Sequence, residues 1–187
     1  EFLFTVDEET GLTGANELQP DFLESKILLN LDSEEEGELY VGCAGACDNL
    51  GHWHFKYDAA PKGLMTWTLT VSGLKGGHSG MEIDKQRGNA IRILGRLLSV
   101  AQVFGARVSS IDGGSKRNAI PRDAAAMIVV PAAKAEVMEI GITVLVKAIA
   151  AEMATVEPNF AVTVKASKAK APRVLARALQ TKILRVI

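Results

Sequence analysis

Acidic residues follow the two most apolar short runs near the start of the chain. Residues 2–6 lead into the pair Glu8 and Glu9, and residues 26–31 lead into Asp32. Such runs predict strands that are covered on both faces, and the roughly 20 residues between them allow the crossover of a parallel pair. Because the carboxyl ends of parallel strands meet at one sheet edge, the carboxylates there favour a divalent cation. Solvated loop ends are the alternative interpretation.

A second candidate for chemistry is His78, which lies in the segment Gly-Gly-His-Ser-Gly after a strand-like stretch. Glycines on both sides leave its imidazole on a sterically open loop, where a histidine is more often functional than buried. The residue types allow three roles, namely an acid, a metal ligand or a donor to a developing oxyanion. The spacing does not choose among them.

The remaining histidines and the cysteines are weaker candidates. His52 and His54 share one face of a strand-like segment, but no acidic or cysteine partner lies at a matching distance, so we predict no metal site there. Cys43 and Cys47 fit neither a zinc hairpin nor a redox Cys-x-x-Cys motif. We predict that both are packing residues in a reducing, cytoplasmic compartment.

The elements that must position these residues fall into two predicted domains. Pro61 and Gly63 mark a boundary, which gives an α/β domain over 1–60, part of a parallel sheet, and an α+β domain over 61–187. Downstream of the boundary the residue periodicity predicts strands at 66–71, 108–111, 124–130 and 160–164 and helices at 88–104 and 137–151. The order β-α-β-β-α-β is that of a ferredoxin-like sandwich, with both helices on one face of the sheet.

The composition excludes several classes of protein. The 187 residues are 48% hydrophobic and 23% charged, with a net charge of -1, which excludes disordered, collagen-like and coiled-coil chains. Without an excess of positive charge, nucleic-acid binding is not expected. Charged residues interrupt the apolar stretch 135–156, so no membrane span is predicted. Because the chain begins at Glu1 and ends in a helix-like stretch, 174–187, we expect an internal fragment of a longer protein.

Four segments, taken together and in order, resemble the M20 family of co-catalytic metallopeptidases, especially the aminoacyl-histidine (Xaa-His), carnosinase-like dipeptidases. They are FTVDEETGLTGA at 4–15, NLDSEEEGE at 30–38, LKGGHSG at 74–80 followed by Glu82, and RNAIPR at 117–122. The resemblance implies that a parallel-sheet catalytic domain is followed by a ferredoxin-like lid, or dimerisation, domain. It covers almost the whole chain.

The resemblance also implies roles for individual residues. Glu8 maps onto the general base, whereas Glu9 and Asp32 map onto metal ligands. His78 maps onto the lid histidine that stabilises the tetrahedral intermediate, and Asn118 onto the lid asparagine that contacts the substrate. The family's other metal ligands, a His-x-Asp upstream of the acidic pair and a histidine near the C-terminus of the full enzyme, have no counterpart in this sequence.

Cofactors and partners follow from the same resemblance. It implies two divalent metal ions, with zinc expected and manganese or cobalt as alternatives, a small dipeptide substrate and a homodimer formed through the lid. In the complete enzyme a Glu-activated, metal-bridged water would hydrolyse the peptide bond. The alternative is a truncated lid module that dimerises without hydrolase activity, since this chain carries only part of the ligand set.

Overall fold

The structure is a computed structural model that describes residues 2–32, 36–42, 47, 49–169, 171 and 173–187. The chain forms two compact units, Glu1–Cys47 and Asp48–Ile187. Among the described residues, no helix is both long enough and apolar enough to cross a bilayer.

The described part of the first unit contains one short helix, α1 (Thr13–Asn16), and no strand. The prediction of buried strands at 2–6 and 26–31 is therefore wrong for this chain. The exposed fraction of Phe2 is 95% and that of Leu31 is 91%. The physical reason is that a strand needs a hydrogen-bonded neighbour, and a parallel sheet needs cover on both faces. The described residues of this unit supply neither.

The second unit contains nearly all of the regular structure. In chain order its elements are β1 (Tyr57–Ala59), β2 (Leu64–Ser72), β3 (Gly77–His78), a 3₁₀ turn (Ile83–Lys85), α2 (Ala90–Val103), β4 (Arg107–Gly113), β5 (Ala119–Ile120), β6 (Ala124–Pro131), α3 (Ala132–Glu152), β7 (Ala161–Ser167), β8 (Arg173–Leu175) and α4 (Arg177–Val186).

Its main sheet has the strand order β4-β6-β2-β7, and every neighbouring pair is antiparallel. Alternate side chains of β2, such as Leu69 and Val71, are fully buried, as the period-two pattern predicts. Leu94 and Leu97 of α2 and Ile142 of α3 join them in one apolar core. Both helices therefore cover the same face of the sheet, which confirms the predicted β-α-β-β-α-β arrangement.

The chain leaves the main sheet through β8 and α4. β8 pairs antiparallel with β1, so the predicted helix-like stretch from residue 174 begins as a strand. Gln180 of α4 is buried, and its Oε1 accepts a hydrogen bond from the Val108 N–H at 2.8 Å. Its Nε2 donates to the Ala106 carbonyl at 3.1 Å. These bonds hold α4 against the start of β4.

Cys47 and the first two histidines differ from their predicted environments. Cys47 is exposed and not a packing residue, because the described part of its unit has no packed core around it; Cys43 lies outside the described residues. His52 and His54 are exposed and lie outside any strand, since only Tyr57 of the predicted strand-like segment enters β1.

Candidate functional site

Residues 75–88, here called the His78 loop, connect β2 to α2 and contain β3. β3 pairs antiparallel with β5, which places His78 opposite Ala119. The Ser79 N–H donates to the Asn118 carbonyl at 2.8 Å. Two predicted site residues that lie far apart in the sequence, His78 and Asn118, are therefore brought to the same place.

Backbone hydrogen bonds fix the orientation of the His78 ring. Its Nδ1 accepts from the N–H groups of Gly80 and Met81, both at 3.1 Å. When Nδ1 of a neutral imidazole is an acceptor, the ring proton is on Nε2. Because the residue is exposed, the Nε2–H group is available to donate to a ligand.

Glu82 holds the His78 loop from within. Its Oε2 accepts the backbone N–H of His78 at 2.9 Å, and its Oε1 contacts Lys85 Nζ at 3.1 Å and Arg87 Nη2 at 2.6 Å. The hydrogen bond from the His78 backbone, followed by the one from Lys85, lowers the pKa of Glu82 from 4.5 to about 2. Glu82 is therefore ionised throughout the neutral range.

The glycines before His78 make room for this ion pair. Gly77 has φ 144°, and a Cβ at this position would collide with Arg87 Nη1 and Glu82 Oε2. Arg87 Nη1 also donates to the Gly76 carbonyl. In the sequence Glu82 stands only within a motif, and no motif includes Arg87. The signal that could have found them is the glycine pair, which indicates a close approach to the backbone.

A groove of about 600 Å³ borders the site. Ser79 and Ala119, which follow His78 and Asn118 in the chain, both line it. Its charged lining residues are all basic, namely Arg87, Arg92, Lys116 and Arg117. A concave surface with one sign of charge attracts ligands of the opposite sign, so the groove favours an anionic group.

The acidic pair near the N-terminus lies in a turn and not at a strand end. The Glu8 carbonyl accepts from the N–H groups of Gly11 and Leu12, both at 3.0 Å, and the turn leads into α1. Gly14 is required nearby, because a Cβ there would lie 2.6 Å from the Val6 nitrogen. Glu8 and Glu9 are exposed.

Asp32 is exposed as well, and its N–H donates to Asn30 Oδ1 at 3.0 Å. Among the described residues, no group of three or more His, Cys, Asp or Glu side chains could hold a metal ion. A protein metal site needs three or four such ligands, so the described residues do not assemble one by themselves. Glu9 and Asp32 stay predicted ligands.

The fold and the His78 loop define a class of protein that comparison with known families identifies. Residues 60–157 match the family described as the peptidase dimerisation domain of M20 peptidases. This match covers strands β2, β4 and β6 of the sheet, both of its helices and the His78 loop. The chain belongs to this family.

Two known dipeptidases are similar to most of this chain. The chain is 44% identical over 162 residues to the cytosol non-specific dipeptidase of Escherichia coli (strain K12), an alignment that covers 86% of this chain and 33% of that protein. The crystal structure of aminoacylhistidine dipeptidase from Vibrio alginolyticus superposes with a TM-score of 0.79 at 37% identity, covering 97% of this chain and 37% of that one. The chain thus spans about a third of the length of these relatives. The resemblance to M20 dipeptidases is confirmed.

Proposed function

We propose that this chain is part of an M20 metallodipeptidase that hydrolyses the peptide bond of Xaa-His dipeptides. The observation that carries the proposal is the geometry of His78, whose Nδ1 accepts two backbone hydrogen bonds and whose Nε2–H is left to donate. A fixed donor of this kind stabilises negative charge that develops on a carbonyl oxygen. The location proposed for the enzyme is the cytoplasm, as the name of the Escherichia coli relative suggests.

The chain's own residues have distinct proposed roles. Glu8 accepts a proton from the attacking water, His78 donates to the oxyanion and Asn118 contacts the substrate. Glu9 and Asp32 are the proposed ligands of a two-metal centre, with zinc as the expected metal. When bound, such a metal lowers the pKa of water and so supplies a nucleophile at neutral pH.

The charge of the groove supports a small peptide as the ligand. A dipeptide carries a free carboxylate close to its scissile bond, and guanidinium groups bind carboxylates in a bidentate manner. Arg92 lines the groove next to the His78 loop, and no acidic side chain lines it. Arg87 of the loop also lines the groove, but it already pairs with Glu82. We propose that this lining binds the substrate carboxylate.

The surface of α3 supports the predicted homodimer. Val137, Ile140 and Val144 recur on one face of the helix and are exposed. β7 is an edge strand whose second side has no partner strand among the described residues. Apolar helix faces and open strand edges are surfaces that association covers. The proposed partner is a second copy of this chain.

The proposal is tested by transplanting this chain into a longer relative. The 187-residue chain and a chimera, in which it replaces the aligned segment of the Escherichia coli dipeptidase, are assayed with added zinc or manganese on Xaa-His and Xaa-Ala dipeptides. We expect cleavage by the chimera, with preference for Xaa-His, and none by the chain alone. A folded, metal-loaded chimera without dipeptidase activity would contradict the proposal, and equal cleavage of both dipeptides would contradict the substrate preference.

A second candidate function is a dimerisation module without hydrolase activity. It is favoured by the distribution of structure, since every strand of the described residues lies in the second unit and the family match lies there too. A dimeric chain whose chimera is inactive would support this candidate. An active chimera would exclude it.

A further inference from the structure

Glu157 is a buried carboxylate between α3 and β7, with an exposed fraction of 2%. Its Oε2 accepts the Lys75 N–H and its Oε1 accepts the Gly88 N–H, both at 2.8 Å. Lys75 and Gly88 are the first and last residues of the His78 loop. One side chain therefore joins the two ends of the loop that carries His78.

The surroundings of Glu157 leave it little freedom. Its N–H donates to the Met153 carbonyl at 2.8 Å, and its carbonyl accepts the Phe160 N–H at 3.1 Å. A Cβ at Gly88 would lie 2.8 Å from Leu74 Cδ2 and 3.1 Å from Met153 Sδ, so the loop end is pressed against its neighbours. A buried carboxylate is tolerated only when it is well hydrogen-bonded, and here each oxygen has a backbone donor.

We propose that Glu157 is a positioning residue for His78. It does not touch the substrate; it fixes the ends of the His78 loop so that the His78 Nε2–H and the Asn118 segment keep their relative placement. This inference rests on the proposed function, because the role of the loop in catalysis depends on it. Substitution by Gln keeps the size of the side chain but leaves one acceptor oxygen. Its NH₂ group would face a backbone donor, so one end of the loop loses its bond.

The test measures amide hydrogen exchange by NMR in the 187-residue chain and in its Glu157→Gln variant. We expect the amides of Ser79, Gly80 and Met81, together with Lys75 or Gly88, to exchange about tenfold faster or more in the variant. The amides of the central strands β2 and β6 should be unchanged. Unchanged exchange throughout the loop would overturn the proposal.

A matched control is Glu152→Gln, at the end of α3. Glu152 is half-exposed and pairs with Arg96 at 2.7 Å, with no bond to the loop. Its substitution should leave the loop amides as they are, and faster exchange there would overturn the assignment to Glu157. If Glu157→Gln does not fold, the unsubstituted chain decides. The Lys75 and Gly88 amides must then be protected as strongly as those of the sheet, and rapid exchange of either would overturn the proposal.

A kinetic arm in the active chimera separates this inference from the proposed function. Glu157→Gln should lower kcat about tenfold or more and leave KM within about twofold, because the donor that it misplaces acts in the transition state. An inactive chimera contradicts the proposed function, whereas the exchange measurement on the chain is independent of activity. Faster loop exchange with an unchanged kcat would overturn the catalytic part of the inference.

Discussion

At the scale of single residues, His78 is oriented by the backbone of its own loop. Its ring nitrogen Nδ1 takes hydrogen bonds from Gly80 and Met81, and its own N–H is held by Glu82. The side chain therefore needs no partner from another element to set its tautomer. The glycines around it serve this purpose, since they allow the chain to turn back on the ring.

Replacing His78 by Ala tests the oxyanion role directly. In the active chimera, His78→Ala should lower kcat by about 10²–10³, the usual effect of removing one such donor. Because the side chain is exposed, the melting temperature of the chain should change little. His54→Ala, which removes another exposed histidine, is the control and should leave kcat as it is. A fully active His78→Ala variant would remove this residue from the mechanism.

The depressed pKa of Glu82 predicts an acid-sensitive contribution to stability. Because folding lowers this pKa from 4.5 to about 2, the charged form is favoured in the folded state, so its contribution is complete above about pH 4.5. It is lost as the pH falls through the range down to about 2. The measurement compares the free energy of unfolding of the chain and of Glu82→Gln across this range, with Glu136→Gln as control.

The expected result is that the free energies of unfolding of the two proteins approach each other as the pH falls. Glu82→Gln should be the less stable protein at neutral pH and should show a weaker loss in acid. A constant difference between the two proteins at every pH would show that the charge of Glu82 makes no contribution.

At the scale of elements, the His78 loop is built as a closed unit on the sheet. β3 pairs with β5, the Ala90 N–H at the start of α2 donates to the Pro121 carbonyl at 2.8 Å, and Asn89 caps the helix by accepting from Ile91 and Arg92. The loop, the entry of α2 and the segment that carries Asn118 are therefore mutually bonded. A change inside the loop should act on all three.

Gly77→Ala tests how tightly the loop packs, with Gly63→Ala as the matched control. Both glycines have positive φ, 144° and 78°, so both substitutions add backbone strain, on the order of 1–3 kcal/mol. Only at Gly77 would the new methyl group also meet Glu82 and Arg87, whereas Gly63 faces open space. Denaturant unfolding should show the larger decrease in the free energy of unfolding for Gly77→Ala. Equal losses would mean that the ion pair moves aside at no cost.

At the scale of the whole molecule, the second unit has a packed core and an uncovered outer surface on α3. The buried side of the helix contributes Met138, Ile142 and Ile149 to the core. The outer side carries the three exposed apolar residues that support a homodimer. Apolar residues of α3 therefore face both the core and the outer surface. This explains why they are found all around the helix and do not form a single stripe.

Ile140→Asp tests the dimer. Placing a carboxylate on the outer side of α3 should shift the chain from dimer to monomer in sedimentation equilibrium, because an unpaired buried charge opposes association. Ile83→Asp is the control, since Ile83 has an exposed fraction of 66%, against 57% for Ile140, and lies in the His78 loop. A chain that is monomeric without substitution, or an Ile140→Asp variant that still dimerises, would contradict the use of this face.

The sequence predicted local structure correctly where each element is specified by its own residues. The alternation in Thr66, Leu69 and Val71 and the helical spacing of Leu94 and Leu97 gave the strands and helices of the second unit, because burial of one face follows from periodicity alone. The apolar composition of residues 2–6 and 26–31 led to a wrong prediction of strands. Those runs have the composition of strands but no neighbour among the described residues to pair with.

Some features of the candidate site were likewise predictable from the sequence, and others were not. The residue type and the neighbouring glycines were enough to predict a functional role for His78. The motif around Asn118 could be identified from the sequence alone. Their convergence, the tautomer of His78 and the bonds from Glu82 and Glu157 were decided by the tertiary structure. These are contacts between segments that are distant in the chain or depend on the path of a loop, and no pattern of neighbouring residues specifies which backbone group a buried carboxylate will meet.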